Sequence, residues 1–493
     1  MYLLGYDCGT SSIKATLLDA DTGKVIASAS YPPREMPIIS PQPGWAEQNP
    51  NNWWDNLKSA TKILLNDSKI DGHDIKAIGI SYQMHGLVCL DKAGQVLRPS
   101  IIWCDSRAVE IGNKATETIG TETILAESLN QVGNFTAAKL GWVKENEPDI
   151  YKKIHKIMLP GDYIGYKLTG QIATTKSGLS EGIFWNFQQS CLSEKVMNYF
   201  GFDNNIIPTV YDTFEVHGQV SSDIAAELGI KADTPVSYRA GDQPNNALSL
   251  GVMNPGQIAA TAGTSAVVYG ITNKLQYDQQ SRVNTFIHVN NTQQNPSFGT
   301  LLCINGSGIL NSWVKHNIAN GLDYPEMNQL ASTVDIGSDG LTILPYGNGA
   351  ERSLNNQNIG GSFNSLNFNI HSQKHIFRAA QEGIAFALNY GVNIMKSNGV
   401  EVNTVRAGKA NMFLSPVFAE TFSTITNSTV ELYNTDGSQG AARGAGLGIG
   451  LYKNQTEAFA GLECLEKIEP DTNNTQKYHQ AYEAWLSFLA SLV

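Results

Sequence analysis

Two short stretches of this chain share one pattern. Residues 3–17 read Leu-Leu-Gly-Tyr-Asp-Cys-Gly-Thr-Ser-Ser-Ile-Lys-Ala-Thr-Leu, and residues 258–269 read Ile-Ala-Ala-Thr-Ala-Gly-Thr-Ser-Ala-Val-Val-Tyr. In each, a strand-like run enters a Gly-Thr-Ser turn and leaves by a second strand-like run. Glycine lets the backbone turn tightly, and N–H groups beside two hydroxyls make a concave donor site suited to phosphate. One such turn in each half of the chain implies two related lobes that grip one nucleotide between them.

The surrounding pattern agrees. Residues 2–7, 13–19 and 25–31 read as three strands joined by tight turns. A helix follows over 51–65, opened by Pro50 and apolar along Trp54, Leu57 and Leu64, and then a buried strand over 75–81. Further on, strand signals fall at 87–90, and helix signals at 106–118 and 137–145. Residues 178–217 look less regular. A second strand-rich start comes at 235–240 and 258–271. Helical signals follow at 309–316, 375–393 and 416–426, and the last forty residues read as an amphipathic helical closing element. This is an α/β chain with duplicated lobes, 1–245 and 246–493, the boundary falling between about 240 and 255.

Composition narrows the function. The net charge of −11 argues against a general nucleic-acid or anionic-membrane surface, though not against a small phosphorylated ligand held by local N–H groups and a metal. The six cysteines lack CxxC or zinc spacing and read as reduced thiols. The N-terminus enters a strand at once and no apolar run approaches bilayer length, so a cytoplasmic protein is expected. No GxxxxGK[ST] is present and no GxGxxG follows an early strand, which removes the P-loop and nicotinamide readings.

Candidate chemistry clusters in a few segments. In the first turn, Gly9, Thr10 and Ser11 suit phosphate, and Asp7 stands where Mg²⁺ or its waters would lie. Lys14 either joins that site or is a solvated strand lysine. Gly263, Thr264 and Ser265 repeat the turn. Asp242, following Gly241 at the end of a strand-like run, either accepts a hydroxyl proton in phosphoryl transfer or opens the next helix as an Asx turn. Gln83-Met84-His85-Gly86 ends the buried strand, and His85 suits a polyol hydroxyl or a structural role. Trp103, Asp105 and Arg107 combine an aromatic face with charged groups, as sugar sites do, unless Asp105 or Ser106 is a helix N-cap. The glycine-rich stretch 436–446 suits helix–helix packing or an adenosine contact.

Together these segments resemble the FGGY carbohydrate kinases over nearly the whole chain. The resemblance rests on the DxGTSxxK start, Gln83-Met84-His85-Gly86, Ile102-Trp103-Cys104-Asp105 and Trp45-Ala46-Glu47-Gln48-Asn49-Pro50. It also rests on Phe135-Thr136-Ala137-Ala138-Lys139-Leu140-Gly141-Trp142 and on Leu344-Pro345-Tyr346 with Glu351-Arg352. It implies two actin-like (RNase H-like) lobes with a ligand cleft between them, an ATP- and Mg²⁺-dependent kinase, and a small-molecule sugar as acceptor, with a homodimer as the family-based expectation. Asp242 would then be the proton acceptor, with Asp7 and Asp242 near the metal. Met84 and His85 would contact the sugar, together with Gln83, Trp103, Asp105 and Gln243. Gly408 and Lys409 would serve the adenosine. Three departures from the family pattern stand out. Gly241-Asp242-Gln243 replaces the commoner Gly-Asp-Asn, Ala407-Gly408-Lys409-Ala410-Asn411 replaces Gly-Gly-Gly-Ala-Arg, and Ser365 stands at a glycine position.

Overall fold

The computed structural model describes residues 1–493, which divide into two compact units. The first comprises Met1–Gly251, Phe286–Ser297 and Thr435–Leu462; the second comprises Val252–Thr285, Phe298–Asn434 and Glu463–Val493.

The first unit opens with strands β1 (Tyr2–Cys8), β2 (Ile13–Asp19) and β3 (Val25–Tyr31), as the alternation predicted. Helix α1 (Pro50–Ser68) starts where Asn49 accepts the Asn51 N–H and Pro50 takes the first turn, so its fixed φ needs no backbone donor. Its apolar side buries Trp53, Trp54, Leu57 and Leu64. Strand β4 (Ile75–Tyr82) follows, then helices α2 (Thr136–Asn146) and α3 (Lys176–Glu181). Strands β5 (Phe214–Gln219) and β6 (Pro235–Gly241) lead into helix α4 (Asp242–Ser249). The sheet order is β5-β6-β4-β1-β2-β3. The β1–β2, β2–β3 and β5–β6 pairs are antiparallel, and β1–β4 and β4–β6 are parallel. The interval 178–217 is more regular than its sequence suggests: it holds a helix, Glu194–Phe200, opened by the Ser193 side chain.

In the second unit the same order recurs. Strands β7 (Gly256–Ala262), β8 (Ala266–Thr272) and β9 (Phe298–Ile304) form the meander, followed by helices α5 (Gly308–Asn317) and α6 (Gln373–Ser397). Then come strand β10 (Val402–Gly408), helix α7 (Pro416–Thr426) and strand β11 (Thr429–Tyr433). Helix α8 (Gly437–Gly448) belongs to the first unit, after which strand β12 (Cys464–Ile468) and helix α9 (Thr475–Ala490) complete the second. The closing segment is therefore not helical throughout, because β12 adds an exposed edge to the sheet before α9 begins. Six of this sheet's seven strands run β9-β8-β7-β10-β11-β12, with the same alternation of antiparallel and parallel pairs as the first sheet, and the short strand Asn284–Ile287 lies beyond β9. Each unit thus carries the RNase H-like pattern of the actin-type fold.

The glycine-rich helix α8 shows why small residues recur. A Cβ on Gly5 of β1 would lie 1.9 Å from the Ser438 carbonyl oxygen, and one on Gly79 of β4 would lie 1.9 Å from that of Ala441. The helix lies flush on the sheet at these two side-chain-free positions, and its Gly440 packs against α4 at Asn245 and Ser249. No helix of the chain is long and apolar enough to cross a membrane.

Candidate functional site

Between β1 and β2 the Gly9-Thr10-Ser11 turn is held by buried side chains. The Gln48 amide donates to the Thr10 carbonyl at 2.8 Å, and its oxygen accepts from Gln83 Nε2 and Trp53 Nε1, both at 3.0 Å. Thr10 Oγ1 donates to Gln83 Oε1 at 3.2 Å and accepts from Trp103 Nε1 at 3.0 Å. The Gln83 N–H closes on the Cys8 carbonyl. Gln83, read from sequence as a sugar contact, therefore has its amide engaged in fixing the turn. Trp103 leaves an indole face 53% exposed beside it.

Two carboxylates meet at the strand ends. Asp7 sits in register with Lys14 on β2 and Ser81 on β4. Gly437, the first residue of α8, leaves the space its carboxylate fills. Burial raises the Asp7 carboxyl above its usual range and nearby Asp436 adds to the rise, while the Ser81 hydroxyl and Lys14 oppose it. Lys14 is engaged at 2.6 Å with Asp436, the N-cap of α8. Although burial opposes it, Asp436 is held below the usual range by Lys14 and the Ser438 hydroxyl. Asp242 is the first residue of α4, following Gly241. Burial first, and the Asp7 charge second, push it up to about 7, while Gln243 opposes. Gln243 Oε1 is buried without a hydrogen-bond partner.

Beside Gly241 and Asp242 lies a cluster of Met84, His85, Phe135 and Phe286. Gly241 is required there: a Cβ would lie 2.5 Å from Met84 Cγ and 2.6 Å from Glu181 Oε2. The His85 ring stacks edge-on against Phe135 at 4.7 Å and lies 5.6 Å from Phe286. Asp105 has no exposed surface. Its carboxylate accepts from Ala46 N at 2.6 Å and from the Arg107 guanidinium, which also donates to Glu47 at 2.7 Å and lies 3.7 Å over the Trp45 ring. The structure thus engages Asp105 in holding Trp45–Gln48, the segment that in turn holds the first turn.

The second turn has a different setting. The carbonyls of Gly263 and Thr264 accept from Gly308 N and Ile309 N at 2.9 and 3.1 Å, tying the turn to the start of α5. Buried Glu351 accepts from Asn305 N and Gly306 N and fixes the loop that enters α5. Gly263 and Thr264 line a cavity of about 840 Å³, together with Asn311, Ser312, Tyr324 and Asn411. No charged residue lines it, which suits a neutral heteroaromatic ring with hydrogen-bonding edges. Lys409 points elsewhere, in an ion pair with Glu466 at 2.9 Å, while Gly408 has open space where a side chain would be. From this loop the lining takes instead Asn411, Met412, Leu414, Ser415 and Pro416.

Sequence reasoning gave no role to Gln48, Lys139, Glu181 or Asp436. A signal existed for Lys139, the one charged residue in the otherwise apolar first half of α2, and for Asp436, the side-chain cap just before a glycine run.

The description of the FGGY family of carbohydrate kinases, N-terminal domain, matches residues 2–249, and that of its C-terminal domain matches residues 258–447. The chain belongs to this family. It is 29% identical to the xylulose kinase of Bacillus subtilis (strain 168) over 489 residues, covering 98% of this chain and 96% of that one. It is 30% identical to the xylulose kinase of Haemophilus influenzae over 511 residues, covering both chains completely. The crystal structure of xylulose kinase from Rhodospirillum rubrum superposes with a TM-score of 0.89 at 25% identity, covering 100% of this chain and 99% of that one. This FGGY chain is therefore a carbohydrate kinase.

Proposed function

We propose that this FGGY kinase transfers the γ-phosphoryl group of ATP to the terminal hydroxyl of D-xylulose, giving D-xylulose 5-phosphate and ADP. The observation that carries this reading is Asp242, a carboxyl held near neutrality at a strand end beside the Met84–His85 cluster. The full-length similarity to xylulose kinases supports the choice of acceptor.

In this reading Asp242 accepts the proton of the attacking hydroxyl as the new P–O bond forms and the bond to the ADP oxygen breaks. Met84 and the His85 cluster hold the sugar, and Gln243 Oε1 offers an unpaired acceptor to one of its hydroxyls. The uncharged cavity of the second unit takes the adenosine, with Gly408 as a close backbone approach, and the Gly-Thr-Ser turns take the phosphates. Asp7 and Asp242 fit a hard divalent cation: Asp7 forms no ion pair, and its charge raises Asp242, a repulsion that a cation would relieve. Bound there, Mg²⁺ would neutralise charge on the transferring phosphoryl group.

Gly-Asp-Gln in place of Gly-Asp-Asn favours a second reading, a kinase of the same chemistry for L-ribulose or glycerol. A coupled-ADP assay over D-xylulose, L-ribulose and glycerol separates them. The highest kcat/KM is expected with D-xylulose. A higher value for another sugar moves the assignment to that acceptor, and sugar-independent ATP consumption replaces the kinase reading with an actin- or chaperone-like ATPase.

A further inference from the structure

Lys139 of α2 and Glu181 of α3 have almost no exposed surface, and neither forms an ion pair closer than 4 Å. Burying two such side chains is unfavourable unless the surroundings require them. Both converge on one residue. His85 adopts φ = 63°, a left-handed conformation uncommon outside glycine, which persists where the surrounding structure over-determines it. Glu181 Oε1 accepts the His85 N–H at 3.1 Å, and Lys139 Nζ donates to the His85 carbonyl at 2.9 Å. The Glu181 carbonyl oxygen lies 3.1 Å from His85 Nδ1. A carbonyl can only accept, so Nδ1 carries the proton. The Phe135 and Phe286 rings fix its tilt.

We propose that Glu181 and Lys139 are positioning residues for the phosphoryl acceptor, locking the His85 backbone in its turn and its ring in the Nδ1–H tautomer. This rests on His85 contacting the acceptor, as in the function proposed above. Glu181 also reaches the other side of the site, because its Oε2 packs against Gly241, the residue before Asp242. The same side chain sets the spacing between the sugar-holding turn and the base.

The test compares Glu181→Ala, Glu181→Gln and Lys139→Met with the intact protein. Glu181→Ala and Lys139→Met are expected to raise the KM for the ketose about tenfold or more, the scale of effect that small misplacements produce, and to leave the KM for ATP within about twofold. Glu181→Gln keeps an oxygen for the His85 N–H and is expected to recover most of the loss. Nitrogen-15 NMR of histidine-labelled protein, with His85 among the nine histidines assigned by its absence from His85→Asn, should show the Nδ1–H form in the parent and mixed tautomers in Glu181→Ala. An unchanged ketose KM in Glu181→Ala, a Gln variant as impaired as Ala, or an Nε2–H tautomer in the parent would each overturn the proposal. Should Glu181→Ala not fold, Lys139→Met and the parent spectrum decide it. If the parent phosphorylates no sugar the proposed function fails, while the tautomer spectrum still judges the clamp.

Discussion

The two Gly-Thr-Ser hairpins share one backbone plan and differ in nearly every side chain around it. Two residues before the glycine the first hairpin carries Asp7 and the second Thr261. Strand β6 runs into Asp242, whereas β11 runs into Asn434 and Thr435. The first turn is tied down by Gln48, Gln83 and Trp103, and the second only by backbone bonds to α5 beside an uncharged cavity. In the proposed function both turns hold phosphates, while the carboxylates that would carry the chemistry stand beside the first alone. The repulsion between Asp7 and Asp242 belongs to the first unit alone, and so does the clamp on His85.

That division can be broken most forcefully at the paired strand positions. Asp7→Asn should lower kcat by about 10²-fold, the scale of losing one preorganised electrostatic group, while Thr261→Val should stay within about threefold. Steady-state kinetics check this, and equal effects at the two positions would erase the asymmetry. Next in size, Ser312→Trp, which fills the second unit's cavity, should raise the KM for ATP about tenfold and leave the ketose KM unchanged. Gly241→Ala, which drives a methyl into Met84, should do the reverse. Crossed effects would show that each unit serves both ligands.

A smaller effect concerns stability. Gln83→Ala leaves Gln48 and Thr10 short of partners and should cost about 1–3 kcal/mol. Thr264→Ala, at an exposed side chain, should cost under about 0.5 kcal/mol by calorimetric melting. A further signature is the pH dependence set by Asp242. Its proton is held near 7 in the folded chain and only near the ordinary carboxylate range in the unfolded one, so ionisation disfavours the fold. That penalty is full above about pH 7 and vanishes as pH falls toward 4. Asp242→Asn should therefore raise Tm at pH 8 and by progressively less down to pH 5, which melting curves across pH check.

Much of this was legible in the sequence because it is local. The hairpins, Pro50 opening α1, and the α7 boundaries at Pro416 and Thr426 follow from alternation and turn chemistry. The glycine-rich stretch 436–446 reads as a helix–helix packing surface or an adenosine contact; Gly440 does pack on helix α4, and the rest of the helix lies on a sheet. That it packs on the first sheet depends on Gly5 and Gly79, which no local pattern connects to it. Asp105 and Gln83 look like ligand groups from their types, but only tertiary contacts reveal that buried neighbours already engage them. Lys139 and Glu181 escaped for the converse reason: Lys139 is a lone charge in a helical run, Glu181 falls in the stretch 178–217 that reads as irregular, and only tertiary contacts bring both to His85.

The central claim is that Asp242 performs proton transfer rather than sugar binding. Its most direct test sets Asp242→Asn beside the parent, measuring D-xylulose and ADP affinity by calorimetry and the phosphorylated product by ³¹P NMR. The account predicts both affinities within about threefold of the parent and turnover lower by about 10²–10⁴. Near-normal turnover, or a loss of sugar affinity large enough to explain the lost rate, would contradict it.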